Sequence, residues 1–302
     1  MGQTISEKII SKAAGLKEVK PGDVVTCSVD LAMIHDSGGP RRVKQIMEKL
    51  GANVWDPNKV VLVSDHFAHN TDSESMKILQ LTRDWAKGQK IDNFYDQEGI
   101  CHIVTPERGH LLPGMFAVGG DSHSPTGGAF GCFMFGVGST DMLGILVTGK
   151  TWVKVPETIN INWSGSLKQG VVAKDMALRM CAALGMNGGA YQAIQYTGDA
   201  VQSLSMTERM TLCNMSAELG AQTGIIAPDE TTFEYIKEAG GDIEDENNLI
   251  SDDDASYLIK HDFSANDLEP QVATPHSPAN STEVKNIDLF QALGLFQENS
   301  MS

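Results

Sequence analysis

The sequence predicts a layered α/β fold, and three observations carry that reading. Short apolar runs at residues 27–34, 59–64 and 115–118 read as buried strands and alternate with segments of helical periodicity. Each of those runs ends directly in His, Asp or Gly, the residue types found at strand ends where open α/β sheets bind ligands. Thirty glycines in 302 residues, with 41% hydrophobic and 21% charged side chains, describe a globular chain rich in tight turns. The length suffices for two ordinary domains, and no repeat of fixed period is visible.

The elements follow in order. Ile5, Ile9 and Ile10 among Ser6, Glu7, Lys8 and Ser11 have the spacing of an amphipathic helix, with Thr4 and Glu7 as its capping box and Gly15 as its stop. This opening lacks the apolar core of a secretory signal, so no export is implied. The strand at 27–34 delivers His35-Asp36 before the breaker Gly38-Gly39-Pro40, and the strand at 59–64 delivers Asp65-His66, with His69 three residues on. Residues 77–87 read as a helix with Ile78, Leu81 and Trp85 on one stripe. Residues 99–104 read as a β-rich run carrying His102 and closed by Thr105-Pro106.

The strand at 115–118 leads into Gly119-Gly120-Asp121-Ser122-His123-Ser124-Pro125-Thr126-Gly127-Gly128, which reads as an active-site turn followed by a close-packed helix. Residues 128–147 are the only membrane-like stretch. Ser139, Thr140, Asp141 and several glycines interrupt it, and it reads as buried rather than spanning. The composition shifts near Val155-Pro156-Glu157, after which residues 158–163 alternate like a half-exposed strand opening a second domain. A helix is expected over 168–183, with Val172, Met176, Met180 and Leu184 on one stripe and Asp175 with Arg179 as a surface pair. Ser205-Met206-Thr207-Glu208 is a second capping box, for a helix running to about Leu219 with Gly220 as its stop. Asn214 and Glu218 would share a face of that helix. Residues 242–254 hold seven carboxylates and no base, which reads as a solvated loop or hinge. The expected division is 1–157, 158–285 and a divergent tail, 286–302.

A formal charge of −16 disfavours nucleic acid and anionic membranes as partners. Five scattered cysteines without a C-x-x-C pair point to reduced thiols and a cytoplasmic setting.

One Asp-Ser-His turn is equally well a hydrogen-bonded turn with no function. Recurrence changes the reading: four expected strand ends carry His, and three of them set it beside Asp. A neighbouring carboxylate holds an imidazole in one tautomer, so the pattern points to one shared catalytic or ligand cleft. His261 and His276 stand alone and carry no assigned role.

Together these motifs resemble the aconitase superfamily, nearest its 3-isopropylmalate dehydratase large subunits and the homoaconitase-type hydro-lyases, over residues 1–285. The resemblance lies in residues 29–36, Asp65-His66, Cys101-His102 with Pro106-Glu107-Arg108-Gly109 and Leu112-Pro113-Gly114, Gly120-Asp121-Ser122-His123, residues 127–131 and residues 210–221. It implies the first two layered α/β/α domains of the large subunit and a hydro-lyase acting on a 2- or 3-hydroxy di- or tricarboxylic acid such as 3-isopropylmalate. It further implies a [4Fe-4S] cluster with one open iron as Lewis acid, and a small swivelling-domain subunit as partner. Carried over residue by residue, Asp65 and His66 become the acid pair that protonates the departing hydroxyl. His102, Asp121, His123 and Glu218 surround the reacting oxygen, Asn214 stands beside the cluster, Ser122 binds a substrate carboxylate, and His35 falls at a substrate-binding position.

The chain departs from that pattern in lacking the family's Ser-Cys-Thr-Asn and Cys-x-x-Cys cluster motifs. It is therefore expected to be a truncated or frame-disrupted large subunit, or one piece of a split enzyme, with Leu289, Phe290, Leu293 and Phe296 covering apolar surface. Two alternatives stand beside this. One is a catalytically incomplete subunit that binds a family partner; the other is a zinc-dependent hydrolase using Asp65, His66, His102, Asp121 and His123.

Overall fold

The computed structural model describes residues 2–243 and 249–287. The first half comprises α1 (Ile5–Ala14), β1 (Val24–Ser28), β2 (Leu31–His35), α2 (Pro40–Leu50), β3 (Val60–Ser64), α3 (Ser73–Gln89), β4 (Phe94–Asp96), α4 (Cys101–Glu107), β5 (Phe116–Gly119), β6 (Phe133–Gly136), α5 (Ser139–Thr148) and β7 (Lys150–Lys154). Strands β2 to β6 form one parallel sheet in the order β4-β3-β2-β5-β6, while β1 and β7 pair as an antiparallel ribbon. The apolar runs are explained by this arrangement: every residue of β2, β3 and β5 is buried, because a parallel sheet is covered on both faces. The chain winds outward from β2 through β3 and β4, then returns to lay β5 on the other side of β2. The β2/β5 boundary is thus a topological switch point, the place where open α/β sheets leave a crevice beyond their strand ends.

The second half comprises β8 (Thr158–Ser164), α6 (Ala173–Leu184), β9 (Ala193–Thr197), α7 (Asp199–Gln202), α8 (Met206–Asn214), β10 (Thr223–Ile226), α9 (Glu230–Glu238), β11 (Ile259–Ser264), β12 (Gln271–Ala273) and β13 (Ser281–Glu283). Its parallel sheet runs β10-β9-β8-β11, and β12 pairs with β13. Both apolar clusters of the core contain residues of both sheets, so the two sheets pack on common material.

Helix α1 begins and ends as its residues dictate. The Thr4 N–H donates to the Glu7 carboxylate at 2.7 Å, the Glu7 N–H donates to the Thr4 hydroxyl at 3.3 Å, and Gly15 closes the helix at φ 67°.

Several local expectations are corrected. Residues 101–107 form a helix, not a strand, so His102 sits in a first helical turn. The Asp65 carboxylate accepts the Cys101 N–H at 2.7 Å, satisfying one of the donors a helix start leaves open and overriding the β-branched composition. The glycine-rich segment after the Asp-Ser-His turn forms a 3₁₀ helix, Ser124–Phe130, and residues 128–147 continue through β6 into α5. No helix among the described residues is long and apolar enough to cross a membrane. In α3 the buried stripe is Leu79, Thr82, Trp85 and Ala86, one position round from the expected one.

Strand β8 is central and almost wholly buried, not half exposed. Its polar residues are tied inside, with Asn160 Nδ2 donating to Thr197 Oγ1 at 3.1 Å and the Thr158 hydroxyl donating to that of Thr4 at 3.1 Å. Helix α6 starts at Ala173, and Asp175 is buried there, accepting the N–H groups of Val172 and Gln271 instead of pairing with Arg179. Helix α8 stops at Asn214, and turns carry the chain to Gly220 at φ 69°. In the acidic stretch, residues 244–248 lie outside the described residues, as do Leu289, Phe290, Leu293 and Phe296. At the end of that stretch Asp253 and Asp254 are solvent-exposed, while Asp252 anchors the chain, accepting the Gln3 N–H at 2.8 Å and pairing with Lys8 at 2.5 Å.

Candidate active site

Strand β2 ends in His35, β3 runs into Asp65-His66, β5 runs into Gly120-Asp121, and α4 brings His102 to the same edge of the sheet. His66 Nδ1 lies 2.5 Å from Asp65 Oδ1, and the other Asp65 oxygen is held by the Cys101 N–H. This fixes the tautomer in which Nδ1–H donates and leaves Nε2 of the half-exposed His66 ring free. Burial pushes the Asp65 carboxyl up, but the His66 bond and the Cys101 N–H outweigh it, and the group is held below the usual carboxylate range. Asp36, fully buried, accepts the backbone N–H groups of His66 at 3.2 Å and Phe67 at 3.1 Å, so the turn carrying the acid pair is tied back to β2.

His35 stacks on His66, with ring centroids 4.0 Å apart and planes inclined by 11°. Its Nε2 lies 3.0 Å from the Gly120 carbonyl, while its Nδ1 accepts the Gly38 N–H at 3.3 Å. Both ring nitrogens are engaged, as a neutral imidazole protonated on Nε2 allows. Burial, then the adjacent His66, lowers the His35 pKa.

Across the Gly120 turn, His102 Nε2 lies 2.7 Å from Asp121 Oδ1, which also accepts the His123 N–H at 2.8 Å. Bonding to His102, then to His123, holds the Asp121 carboxyl far below its ordinary range. His123 Nε2 lies 3.2 Å from Glu218 Oε1, and the His102 and His123 rings meet edge to face at 6.4 Å. The Asp121 carboxylate raises the His123 pKa against the opposing effect of burial. Ser122, exposed, turns its hydroxyl to His123 Nδ1 at 3.2 Å. Asn214 donates to the Thr126 hydroxyl at 2.9 Å, which in turn donates to the His123 carbonyl at 2.7 Å.

The contacts close a ring. From His66 they pass to His35, Gly120, Asp121, His102, the adjoining Cys101 N–H, Asp65 and back to His66, with His123 attached at Asp121 and Glu218 attached in turn at His123. Of the nine residues singled out in the sequence, His35, Asp65, His66, His102 and Asp121 lie on this ring, Ser122 and His123 adjoin it at Asp121, Glu218 joins through His123, and Asn214 reaches His123 through Thr126. Sequence reasoning assigned nothing to Asp36, Thr126 or the Gly120 carbonyl, although Asp36 sits in a His-Asp pair that mirrors Asp65-His66.

Glycine is required where the ring is tightest. A Cβ on Gly119 would stand 1.9 Å from Ser124 Oγ, and one on Gly136 would stand 2.5 Å from the Asp121 carbonyl oxygen.

Two metal readings are tested by the same geometry, and of the expected zinc set Asp65, His66, His102, Asp121 and His123 only Asp65 and His66 belong to the group of donors close enough to share an ion among the described residues. His35, Asp36, Asp65 and His66 bring their donor atoms within 4.8 Å of one another, but those donors are already committed to backbone groups or to each other, except His66 Nε2. The five cysteines are all free and buried, and no three lie close enough among the described residues to share an ion. These residues do not fit an iron–sulfur cluster.

Comparison with known proteins agrees with the geometry. The sequence matches the Aconitase family (aconitate hydratase) over residues 7–297. It is 43% identical over 289 residues to the 3-isopropylmalate dehydratase large subunit 1 of Methanopyrus kandleri, covering 95% of this chain and 68% of the relative. It is 42% identical to the probable methanogen homoaconitase large subunit of Methanothermobacter thermautotrophicus, covering 94% and 67%, and 42% identical to the 3-isopropylmalate dehydratase large subunit of Moorella thermoacetica, covering 95% and 68%. The chain spans about two thirds of the length of these relatives. With the match running almost end to end, and with the ring of imidazoles and carboxylates standing on its own, the chain belongs to the aconitase family.

Proposed function

We propose that this chain contributes the proton-handling side of a hydro-lyase site, where a hydroxyl is removed from and returned to a 2- or 3-hydroxy di- or tricarboxylic acid such as 3-isopropylmalate. The observation that carries the reading is the closed ring joining Asp65-His66 to His102-Asp121-His123-Glu218 at the switch point of the first sheet.

Hydroxide is a poor leaving group and departs only as it is protonated. His66 suits the donor role because Asp65 orients its ring from Nδ1 and leaves Nε2 toward the opening. His102, Asp121, His123 and Glu218 form a hydrogen-bonded wall that can hold the departing water, and Ser122 at the rim can take a substrate carboxylate. Asn214 positions this wall from behind through Thr126. The family's cluster would supply Lewis acidity at the hydroxyl; its ligands are not among the described residues, and the roles above belong to this chain's own side chains. A small swivelling-domain subunit is the partner this reading requires, and five free thiols fit a reducing cytoplasm.

The test is anaerobic dehydration of 3-isopropylmalate by the full chain mixed with a relative's small subunit, with the part of that relative's large subunit lying beyond this chain's match as a separate polypeptide to supply cluster ligands, and with iron and sulfide, followed by the ultraviolet absorbance of the unsaturated product. His66→Gln should lower turnover by roughly 10²- to 10⁴-fold. Turnover unchanged in His66→Gln, or absent from the wild type under all these conditions, overturns the assignment.

A further inference from the structure

Strands β1 and β7 form a ribbon of two, so each has one edge that no other strand covers among the described residues. The register decides which main-chain groups lie on those edges. The Val155 N–H donates to the Asp23 carbonyl and the Val29 N–H to the Gly149 carbonyl, both at 2.8 Å. With Val24 opposite Lys154, the bonded pairs between them are therefore Val25 with Val153 and Cys27 with Thr151. The intervening positions of an antiparallel pair turn their main-chain groups outward. Trp152 and Lys154 thus present theirs on the free edge of β7, and neither N–H has a partner among the described residues.

A groove of about 640 Å³ runs along that edge. Consecutive residues from Thr151 to Glu157 line it, whichever face of the ribbon their side chains occupy, as expected of a groove that borders the main chain. Its other walls include Gln192 and Tyr191, the latter held at φ 58° with its N–H donating to the Gly220 carbonyl at 2.8 Å. Gly136, Val137, Tyr191 and Gln222 also line the depression that holds Asp121 and Ser122, so the groove opens toward the candidate active site.

An open edge invites unwanted pairing, and charged side chains are a common guard against it. Lys150 and Lys154 are such charges on the exposed face of the ribbon, but Trp152 between them is not. It is 64% exposed, and tryptophan is among the residue types most enriched as interface anchors.

We propose that the free edge of β7 takes up one extended segment of another polypeptide as an added strand, and that this segment sets an apolar residue opposite Trp152 with a carboxylate two residues to either side. Directly opposed residues on one face of a strand pair stand about 4.5–5.5 Å apart, so those carboxylates meet Lys150 and Lys154, neither of which forms an ion pair among the described residues. Asp141 and Glu157 also line the groove, but Asp141 belongs to α5 and Glu157 lies beyond the end of β7. A second copy of this chain joined antiparallel through β7 would set Lys150 against Lys154, which like-charge repulsion disfavours. The proposal is independent of the hydro-lyase chemistry.

The experiment is titration of the full chain, followed by amide NMR, with the peptide acetyl-Glu-Thr-Val-Thr-Glu-amide up to about 5 mM and with its twin carrying Lys in place of Glu. The acidic peptide should shift the Trp152 and Lys154 amides and slow their hydrogen exchange, while those of Thr151 and Val153, already bonded inside the ribbon, keep their rates. The lysine twin should bind more weakly by about tenfold or more. Lys154→Pro removes one outward N–H, a change that edge strands tolerate, and should bind at least about fivefold more weakly than Lys154→Ala, which loses only the charge. The measurement on wild type needs no variant and stands even where Lys154→Pro does not fold. Unmoved Trp152 and Lys154 amides, a lysine twin that binds as well as the acidic peptide, or equal binding by folded Lys154→Pro and Lys154→Ala overturns the proposal.

Discussion

His35 and His66 lie face to face with ring centroids 4.0 Å apart, yet they are bound to opposite halves of the site: His66 to Asp65, His35 to the carbonyl of Gly120. The stack is the seam by which the acid pair after β3 and the Asp-Ser-His turn after β5 hold each other in place. Its stability has a defined pH dependence. Burial first, then His66, lowers the His35 pKa, so the unfolded chain binds the proton more readily than the folded one. That contribution to stability is intact above the unfolded value of about 6.5 and is lost as pH falls through the folded value. His110, lowered by burial, has the same sign; His123, raised, has the opposite sign, its contribution being full below its ordinary value and lost as pH rises through the folded one.

Replacing His35 by Phe keeps a ring for the stack but leaves the Gly120 carbonyl without its donor. The variant should lose about 1–3 kcal/mol at neutral pH. It should also show a shallower fall in stability on acidification than wild type. Urea midpoints measured from about pH 7.5 down to 5 check both; a parallel pH profile would remove His35 from the account.

Asp121→Asn addresses the other half of the ring. The Asp121 carboxylate is the largest influence raising His123, ahead of the opposing burial, so its removal should move the His123 titration downward. Proton NMR of the imidazole C–H resonances across the pH range reads this directly, and an unmoved or higher His123 value would contradict the assigned contact.

Much of this was readable in advance because the parallel sheet is buried on both faces: β2, β3 and β5 show up as uninterrupted apolar runs, with their functional residues at the ends. What misled was local composition where a tertiary contact decides. The β-branched residues around His102 argue for a strand, but an aspartate 36 residues earlier caps a helix there. The alternation in β8 suggests an exposed face, but Asn160 and Thr158 find partners inside. The engagement of both His35 nitrogens and the left-handed backbone of Tyr191 depend on groups distant in sequence, Gly120 and Gly220, which no periodicity reveals.

Two glycine replacements separate close approach from ordinary helix propensity. A Cβ on Gly128 would lie 1.7 Å from the Gly224 carbonyl oxygen, where backbone meets backbone between the 3₁₀ helix and β10. Gly128→Ala should therefore cost more than about 4 kcal/mol and yield largely unfolded protein. Gly144, within α5, has nothing within 4 Å of its added methyl, and Gly144→Ala should stabilise by about 0.5–1 kcal/mol. Thermal or denaturant unfolding of the two variants checks the contrast.

The cysteines give the sharpest chemical expectation. Burial pushes Cys27 up to about 12 and Cys181 up to about 11, and Cys101, Cys132 and Cys213 are raised still further, Cys101 with help from the Asp65 carboxylate. The thiolate is both the nucleophile and the metal ligand, so a thiol that stays protonated is inert in both respects. In the native protein near neutral pH, a disulfide reagent that releases a coloured thiolate should therefore titrate none of the five within minutes and all five once denaturant is added. By the same argument, anaerobic incubation of this chain alone with iron and sulfide should leave it without the broad absorbance near ~400 nm that thiolate-ligated clusters show. Rapid labelling of a native thiol, or a brown protein with stoichiometric iron, would mean that these buried cysteines can leave the core, and the fold described around them would have to open to let them.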